Sequence, residues 1–200
     1  MNFLAHLYLS GNQPQHMIGN FIGDFVRGRN LVEQFGEGIA QGIELHRAID
    51  EFTDKHPVVK QSKNRLRPNY RHYSPVIVDV FYDHFLANLW ANYHNVPLDV
   101  YAQNAYRLIE KYWEIIPLQL KNIMPYMVKD NWLVNYGSLA GIHQALTGLS
   151  RRATHVSNME KASHDLQLHY TDFKAEFEVF FPLLKNFCEE WVSNQGRASF

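Results

Sequence analysis

The stretch Pro75-Val-Ile-Val-Asp79-Val-Phe-Tyr-Asp83-His84-Phe-Leu-Ala-Asn-Leu-Trp90 is apolar on nearly every side, yet it holds two carboxylates and an imidazole. Ser74 suits a helix cap and Pro75 the first helical position, so the pattern predicts a helix from Pro75 to about His94. On it Asp79 and Asp83, four residues apart, share a face. A helix that is apolar all round belongs in the core. A carboxylate buried there without a partner costs several kcal/mol or is driven to take up a proton. Something must compensate these acids, and a divalent metal is the strongest candidate.

The rest of the chain gives that helix a core to be buried in. Its 200 residues fit one domain, and 46% of them are hydrophobic. The formal net charge of −1 excludes binding to a polyanion by bulk charge, so attraction to an acidic partner must be local. Cys188 is the one cysteine, which rules out an internal disulfide and fits a reducing cytoplasm. The first ten residues lack a basic leader, His6 interrupts their apolar run, and no run approaches the roughly 20 residues of a membrane span. The expectation is a cytoplasmic protein with neither a membrane nor a nucleic acid as its partner.

Helical periodicity dominates and strand alternation is scarce. Met17, Ile18, Phe21, Ile22, Phe25 and Val26 mark a helix from Gln15 to Arg27, with Gly28 as its stop. A second helix runs from about Glu37 to Phe52. A stretch rich in Lys, Arg, Asn and Pro follows and reads as a loop. Beyond the buried helix, others are expected from Pro97–Asp99 through Trp113, over 118–129, over 139–149 and over 158–193, the last broken or kinked by Pro182. The fold class is all-α, a single-domain helical bundle.

Polar residues recur on apolar faces. Ile39, Ile43, His46 and Asp50 step by four, three and four, so His46 and Asp50 continue a core-facing stripe. Asp24 sits within Phe21-Ile-Gly-Asp24-Phe-Val, with Asn20 one turn earlier on the same face. His6 lies among Leu4, Leu7 and Leu9. The collected candidates are His6, Asp24, His46, Asp50, Asp79, Asp83 and His84. Mixed imidazole and carboxylate donors suit Mn²⁺, Fe²⁺ or Zn²⁺, and the lack of cysteine ligands argues against structural zinc. The bland alternative stays open: histidines satisfied in the core, and acids paired with Arg27 or Arg47. The adjacent pair His164-Asp165 reads as a surface or supporting pair.

Several of these residues stand in motifs that resemble one family. They are Met1-Asn-Phe-Leu-Ala-His6-Leu, Gly19-Asn-Phe-Ile-Gly-Asp24-Phe-Val-Arg27-Gly28, Gly42-Ile-Glu-Leu-His46-Arg47-Ala-Ile-Asp50, Asp79-Val-Phe-Tyr-Asp83-His84-Phe-Leu and Ser150-Arg151-Arg152. Together, in this order, they resemble the acyl carrier protein phosphodiesterases, which are viewed as distant relatives of the HD-type phosphohydrolases. The resemblance implies an HD-phosphohydrolase-like helical fold and removal of 4′-phosphopantetheine from holo acyl carrier protein. It also implies Mn²⁺ as cofactor, or another divalent ion such as Mg²⁺ or Fe²⁺. The HD signature is an adjacent His-Asp, whereas the well-matched doublet here is Asp83-His84. Ligand order therefore does not carry over, and Asp24 ranks first among the catalytic candidates.

A basic segment supports a carrier partner independently. Between Lys55 and Val78 there is no acid, while Lys55, Lys60, Lys63, Arg65, Arg67 and Arg71 accumulate. Such a ridge would steer an acidic protein. Arg151 and Arg152 are expected to contact phosphate or partner, or to end a helix. The expected chemistry is metal-assisted hydrolysis, with Arg27 or Arg47 neutralising transition-state charge and His46 or His84 supplying the leaving-group proton. Two other readings remain: a phosphohydrolase for a nucleotide or other small phosphoester, and a non-catalytic helical protein that binds the carrier.

Overall fold

The computed structural model describes residues 1–198. Its elements are helical throughout the described residues. In chain order they are α1 (Phe3–Leu9), α2 (Pro14–Ile22), α3 (Leu31–Phe35), α4 (Glu37–Lys55), α5 (Pro57–Tyr70), α6 (Ser74–Asn88), α7 (Leu98–Lys111), α8 (Leu118–Lys129), α9 (Trp132–Asn135), α10 (Leu139–Arg152), α11 (Ala162–Leu168) and α12 (Tyr170–Ala198). Short 3₁₀ turns join several of them, including Gly23–Phe25 after α2 and Arg71–Tyr73 before α6. No described helix is long and apolar enough to cross a membrane.

The apolar stretch of α6 is the centre of the core. Ile77, Val78, Val80, Phe81, Tyr82, Phe85 and Leu86 of α6 have no exposed surface. Each such side chain contributes about 1.5–3 kcal/mol when fully buried. Against them α12 lays a stripe of Phe173, Phe177 and Phe180, spaced by four and three. Phe81 meets Phe173 and Tyr82 meets Phe177 edge to face, with centroids 5.1 and 5.6 Å apart.

Two expectations are corrected. The stretch after Lys55 is the helix α5, not a loop. Its inward residues Val59, Ser62, Leu66 and Tyr70 step by three, four and four, which places one narrow stripe on the core beneath a polar surface. Of the break or kink expected at Pro182, the break is excluded, because α12 runs through it. A proline removes the bond to the carbonyl four residues back, that of Glu178; both residues are exposed, so water can take that bond's place. The interruption falls instead at His169, between α11 and α12.

Buried polar contacts tie the elements together. Arg65 on α5 grips Glu176 on α12 through two parallel bonds of 2.8 and 2.7 Å, and Ser62 also donates to Glu176. Asp83 on α6 accepts from the backbone N–H groups of Leu4 (2.8 Å), Asn2 and Ala5 (both 3.3 Å). These are donors that the first turn of α1 leaves without intrahelical partners. One carboxylate thus caps α1 from 79 residues away in sequence and sets where His6 lies.

Candidate active site

The site forms where α2 crosses α4 and α1 lies against both. The crossing is close because two glycines face each other there. A Cβ on Gly19 would stand 2.8 Å from Gly42 Cα and 2.1 Å from the Ile39 carbonyl oxygen. Just past the end of α2, a Cβ on Gly23 would stand 2.3 Å from His46 Cγ. The missing side chain is the space that the imidazole occupies. The i, i+4 spacing then puts Asp50 beside His46 on the same face of α4.

Three side chains converge. The rings of His6 and His46 stack with centroids 3.9 Å apart and planes inclined by 16°. His6 Nε2 is 3.4 Å from Asp50 Oδ1, and His46 Nε2 is 3.3 Å from Asp50 Oδ2. One donor atom from each of His6, His46 and Asp50 lies within 4.8 Å of the others. Asp24 joins from the 3₁₀ turn after α2, with Oδ1 3.2 Å from His46 Nε2. Its side chain is 66% exposed, so the cluster opens to solvent at Asp24.

The far nitrogen of each ring is committed. His46 Nδ1 lies 2.7 Å from the main-chain carbonyl of Asn20, which can only accept, so Nδ1 carries the proton. Asn20 Nδ2 donates to the His6 carbonyl and to Ser10 Oγ, both at 2.8 Å, so its Oδ1 must be the acceptor for His6 Nδ1 at 2.7 Å. In the neutral rings both Nε2 atoms therefore present bare lone pairs to carboxylate oxygens. His6 Nε2 is buried without a hydrogen-bond partner. Lone pairs facing anions need a positive charge between them, either a proton or a metal ion.

The pKa shifts express the same demand. Burial, reinforced by the charge of His46, pulls His6 down to about 4. Burial also opposes a charged His46, but hydrogen bonds to Asp24 and Asp50 overcome it and push this imidazole up to about 9. Asp24 is lowered chiefly by its hydrogen bond with His46. Burial pushes Asp50 up, yet the Met1 amine 3.5 Å away and the two histidines together hold it well below the usual carboxylate range. The donor set fits a divalent ion: two imidazole nitrogens with anchored partners, plus carboxylate oxygens of the kind Mn²⁺, Fe²⁺ and Zn²⁺ accept.

The sequence profile of the acyl carrier protein phosphodiesterases matches residues 1–184. This chain belongs to that family. The acyl carrier protein phosphodiesterase of Photorhabdus laumondii is 35% identical over 187 residues, covering 92% of this chain and 93% of that one. Those of an Enterobacter species and of Klebsiella pneumoniae are each 33% identical, over 183 and 190 residues. These matches cover 91% and 94% of this chain, and 94% and 98% of the two relatives. No solved structure matches the chain.

The remaining candidates fall in different places. Asp79 borders the cluster, 3.1 Å from the same Met1 amine that meets Asp50, and burial raises its pKa. Asp83, expected as a ligand, is committed to the first turn of α1. Burial pushes it up to about 7, against the opposing Met1 charge and three backbone donors. His84, also expected as a ligand, directs its two nitrogens to the Tyr136 carbonyl (2.8 Å) and the Tyr170 hydroxyl (3.2 Å). Arg47 donates to the Gly28 carbonyl at 3.1 Å and braces the segment that carries Arg27, while Arg27 is exposed. Asp165 accepts from Tyr70 and His164 is exposed, in keeping with a supporting pair.

Among the basic candidates, Arg65 is taken by Glu176, and Lys63 is taken by Asp54 at 2.6 Å with its side chain only 14% exposed. Lys60, Arg67, Arg71, Arg151 and Arg152 are exposed. Two site residues stand outside the collected candidates. Asn20, noted one turn before Asp24 on the same face, is fully buried and holds both histidines. Gly23 gave no more than its place beside Asp24.

Proposed function

We propose that this chain hydrolyses the phosphodiester joining 4′-phosphopantetheine to the serine of holo acyl carrier protein, using a divalent cation held by His6, His46, Asp50 and Asp24. The observation that carries the reading is the pair of bare Nε2 lone pairs turned toward shared carboxylates. Membership of the family, and the names its relatives bear, support the substrate. When bound, the cation would withdraw charge from a phosphate oxygen and acidify a water molecule.

The residues divide the rest of the work. The anchored Nδ1–H groups hold both rings in place without movement during the reaction. Asp24 is the exposed member of the cluster, so it meets the incoming phosphate first. A water oxygen bonds to phosphorus while the bond from phosphorus to the serine oxygen breaks, and the serine oxygen keeps that electron pair. The water proton passes to Asp24 and then to the serine oxygen, which leaves as a hydroxyl. Arg27, three residues beyond Asp24 and exposed, is the cation available to the phosphate. Arg47 serves by holding the segment around it. His84 takes no part, because its nitrogens are engaged elsewhere.

An acidic carrier finds a basic face formed from two remote segments. The Tyr73 hydroxyl donates to the His155 carbonyl at 3.2 Å, which joins the turn after α5 to the loop after α10. Arg67 lies in the last turn of α5 and Arg71 opens the turn after it, while Arg151 and Arg152 end the helix before the loop. Charges so placed speed encounter and fix orientation more than they add affinity.

The test is the mass of holo acyl carrier protein after incubation with this chain and Mn²⁺. Loss of the phosphopantetheine arm, absent when the metal is chelated, is the expected result. An unchanged carrier alongside hydrolysis of a nucleotide panel would contradict it and assign the site to a small phosphoester.

A further inference from the structure

Asn20 sits at the centre of a hydrogen-bond network that neither the proposed chemistry nor the family resemblance assigns to it. Its side chain has no exposed surface, and each of its polar atoms is engaged. Oδ1 accepts from His6 Nδ1, one Nδ2 proton goes to the His6 carbonyl, and the other goes to Ser10 Oγ. Ser10 Oγ in turn donates to the His6 carbonyl at 2.7 Å, which leaves its lone pair for Asn20. The amide can adopt no other orientation, since a flipped one would aim oxygen at a carbonyl. The main-chain oxygen of the same residue accepts from His46 Nδ1.

We infer that Asn20 is the positioning residue of the site: it sets the proton of both histidines on Nδ1, through its side chain for His6 and its main chain for His46, and so turns both Nε2 atoms to the cation. Free imidazole side chains prefer the proton on Nε2, so the arrangement has to be imposed. Partners of this kind change metal affinity by roughly 10–100-fold when removed. The affinity consequence rests on the cation reading above; the tautomer consequence does not.

Division between side chain and main chain makes the inference separable from a general structural role. Asn20→Leu keeps the volume but loses the acceptor for His6, while its main-chain oxygen stays for His46. Asn20→Asp keeps that acceptor but loses both donors. The readout is the ¹⁵N chemical shifts of the histidine rings in the metal-free protein at pH 8, with the dissociation constant for Mn²⁺ measured alongside. In the native chain His6 is expected with its proton on Nδ1, and Asn20→Asp should keep that signature. Asn20→Leu should move the His6 proton to Nε2, leave the bonded His46 Nδ1–H resonance in place, and weaken Mn²⁺ roughly 10–100-fold.

A native His6 protonated on Nε2 overturns the inference without recourse to any variant. So does an Asn20→Leu chain with an unchanged His6 signature and an affinity within twofold of native. Native tautomers as expected with no Mn²⁺ bound would support Asn20 as the positioning residue and count against the cation reading instead.

Discussion

The rings of His6 and His46 lie 3.9 Å apart, stacked, and turn their Nε2 atoms to the two oxygens of one carboxylate, Asp50. Burial, with the charge of His46 beside it, holds His6 near 4, while hydrogen bonds to Asp24 and Asp50 outweigh burial and hold His46 near 9. In the metal-free protein the single positive charge of the pair rests on His46, between Asp24 and Asp50.

A metal must displace that proton. Binding of Mn²⁺ is expected to release about one proton per site at neutral pH, and to tighten roughly tenfold per pH unit until His46 titrates near 9. Calorimetry in buffers of different ionisation enthalpy measures the release. Proton-independent binding between pH 6.5 and 9 would count against His46 as a ligand.

The same group makes metal-free stability depend on pH. The folded pKa of His46 lies above its ordinary value of 6.5, so its contribution is full below 6.5 and is lost as pH rises to about 9. The melting-temperature difference between the native chain and His46→Gln, without metal, should therefore shrink across that window. A constant difference would show that His46 does not carry the charge.

Asp83 and Asp50 should separate cleanly on substitution. Asp83→Ala leaves the first turn of α1 without its acceptor and is expected to cost about 2 kcal/mol or more in denaturant unfolding. Asp50→Ala should instead abolish Mn²⁺ binding, and it takes from the Met1 amine and His46 an anion with which both pair. Loss of metal with unchanged stability in Asp83→Ala would return Asp83 to the ligand set.

That contrast shows what a sequence can and cannot disclose here. His46 and Asp50 were legible because helical spacing alone puts them on one inward stripe, and Asp24 stood out as an acid between Phe21 and Phe25. His6 followed from its apolar neighbours. Asp83 was read correctly as buried, but its compensation comes from the amide groups of a helix end far away in the chain, which no local pattern announces. His84 shares that buried helix, but neighbouring residues on a helix point in different directions, and its nitrogens meet Tyr136 and Tyr170. The helix α5 is hard to read because its inward stripe is a single line of four residues, one of them Ser62, amid lysines, arginines and Pro68.

The slot beside Gly23 has no room for a methyl group. Its backbone is ordinary αR, with φ −52°, so Gly23→Ala should fold. The added Cβ would meet His46 Cγ at 2.3 Å and displace the ring. A fall of at least about tenfold in kcat/KM is expected, since small misplacements of a reacting group cost up to about 10²-fold. Native rates in a folded Gly23→Ala chain would mean that the position of His46 does not matter to the reaction.

The basic face should matter only for the protein substrate. Replacing Arg67, Arg71, Arg151 and Arg152 by Ala is expected to raise KM for holo carrier protein, most of all at low salt, and to leave hydrolysis of a small chromogenic phosphodiester unchanged. Arg65→Ala should behave differently and destabilise the fold by about 3 kcal/mol, because Glu176 would be left buried without its partner. Equal loss on both substrates would place those arginines in the chemistry rather than in docking.

The most direct measurement is anomalous diffraction from crystals of the native chain soaked in Mn²⁺, collected at the manganese absorption edge. A peak bounded by His6 Nε2, His46 Nε2 and an Asp50 oxygen, and gone in Asp50→Ala crystals, is the expected result. Fully loaded crystals with their peak elsewhere, or with none, would contradict a cation centre at this site.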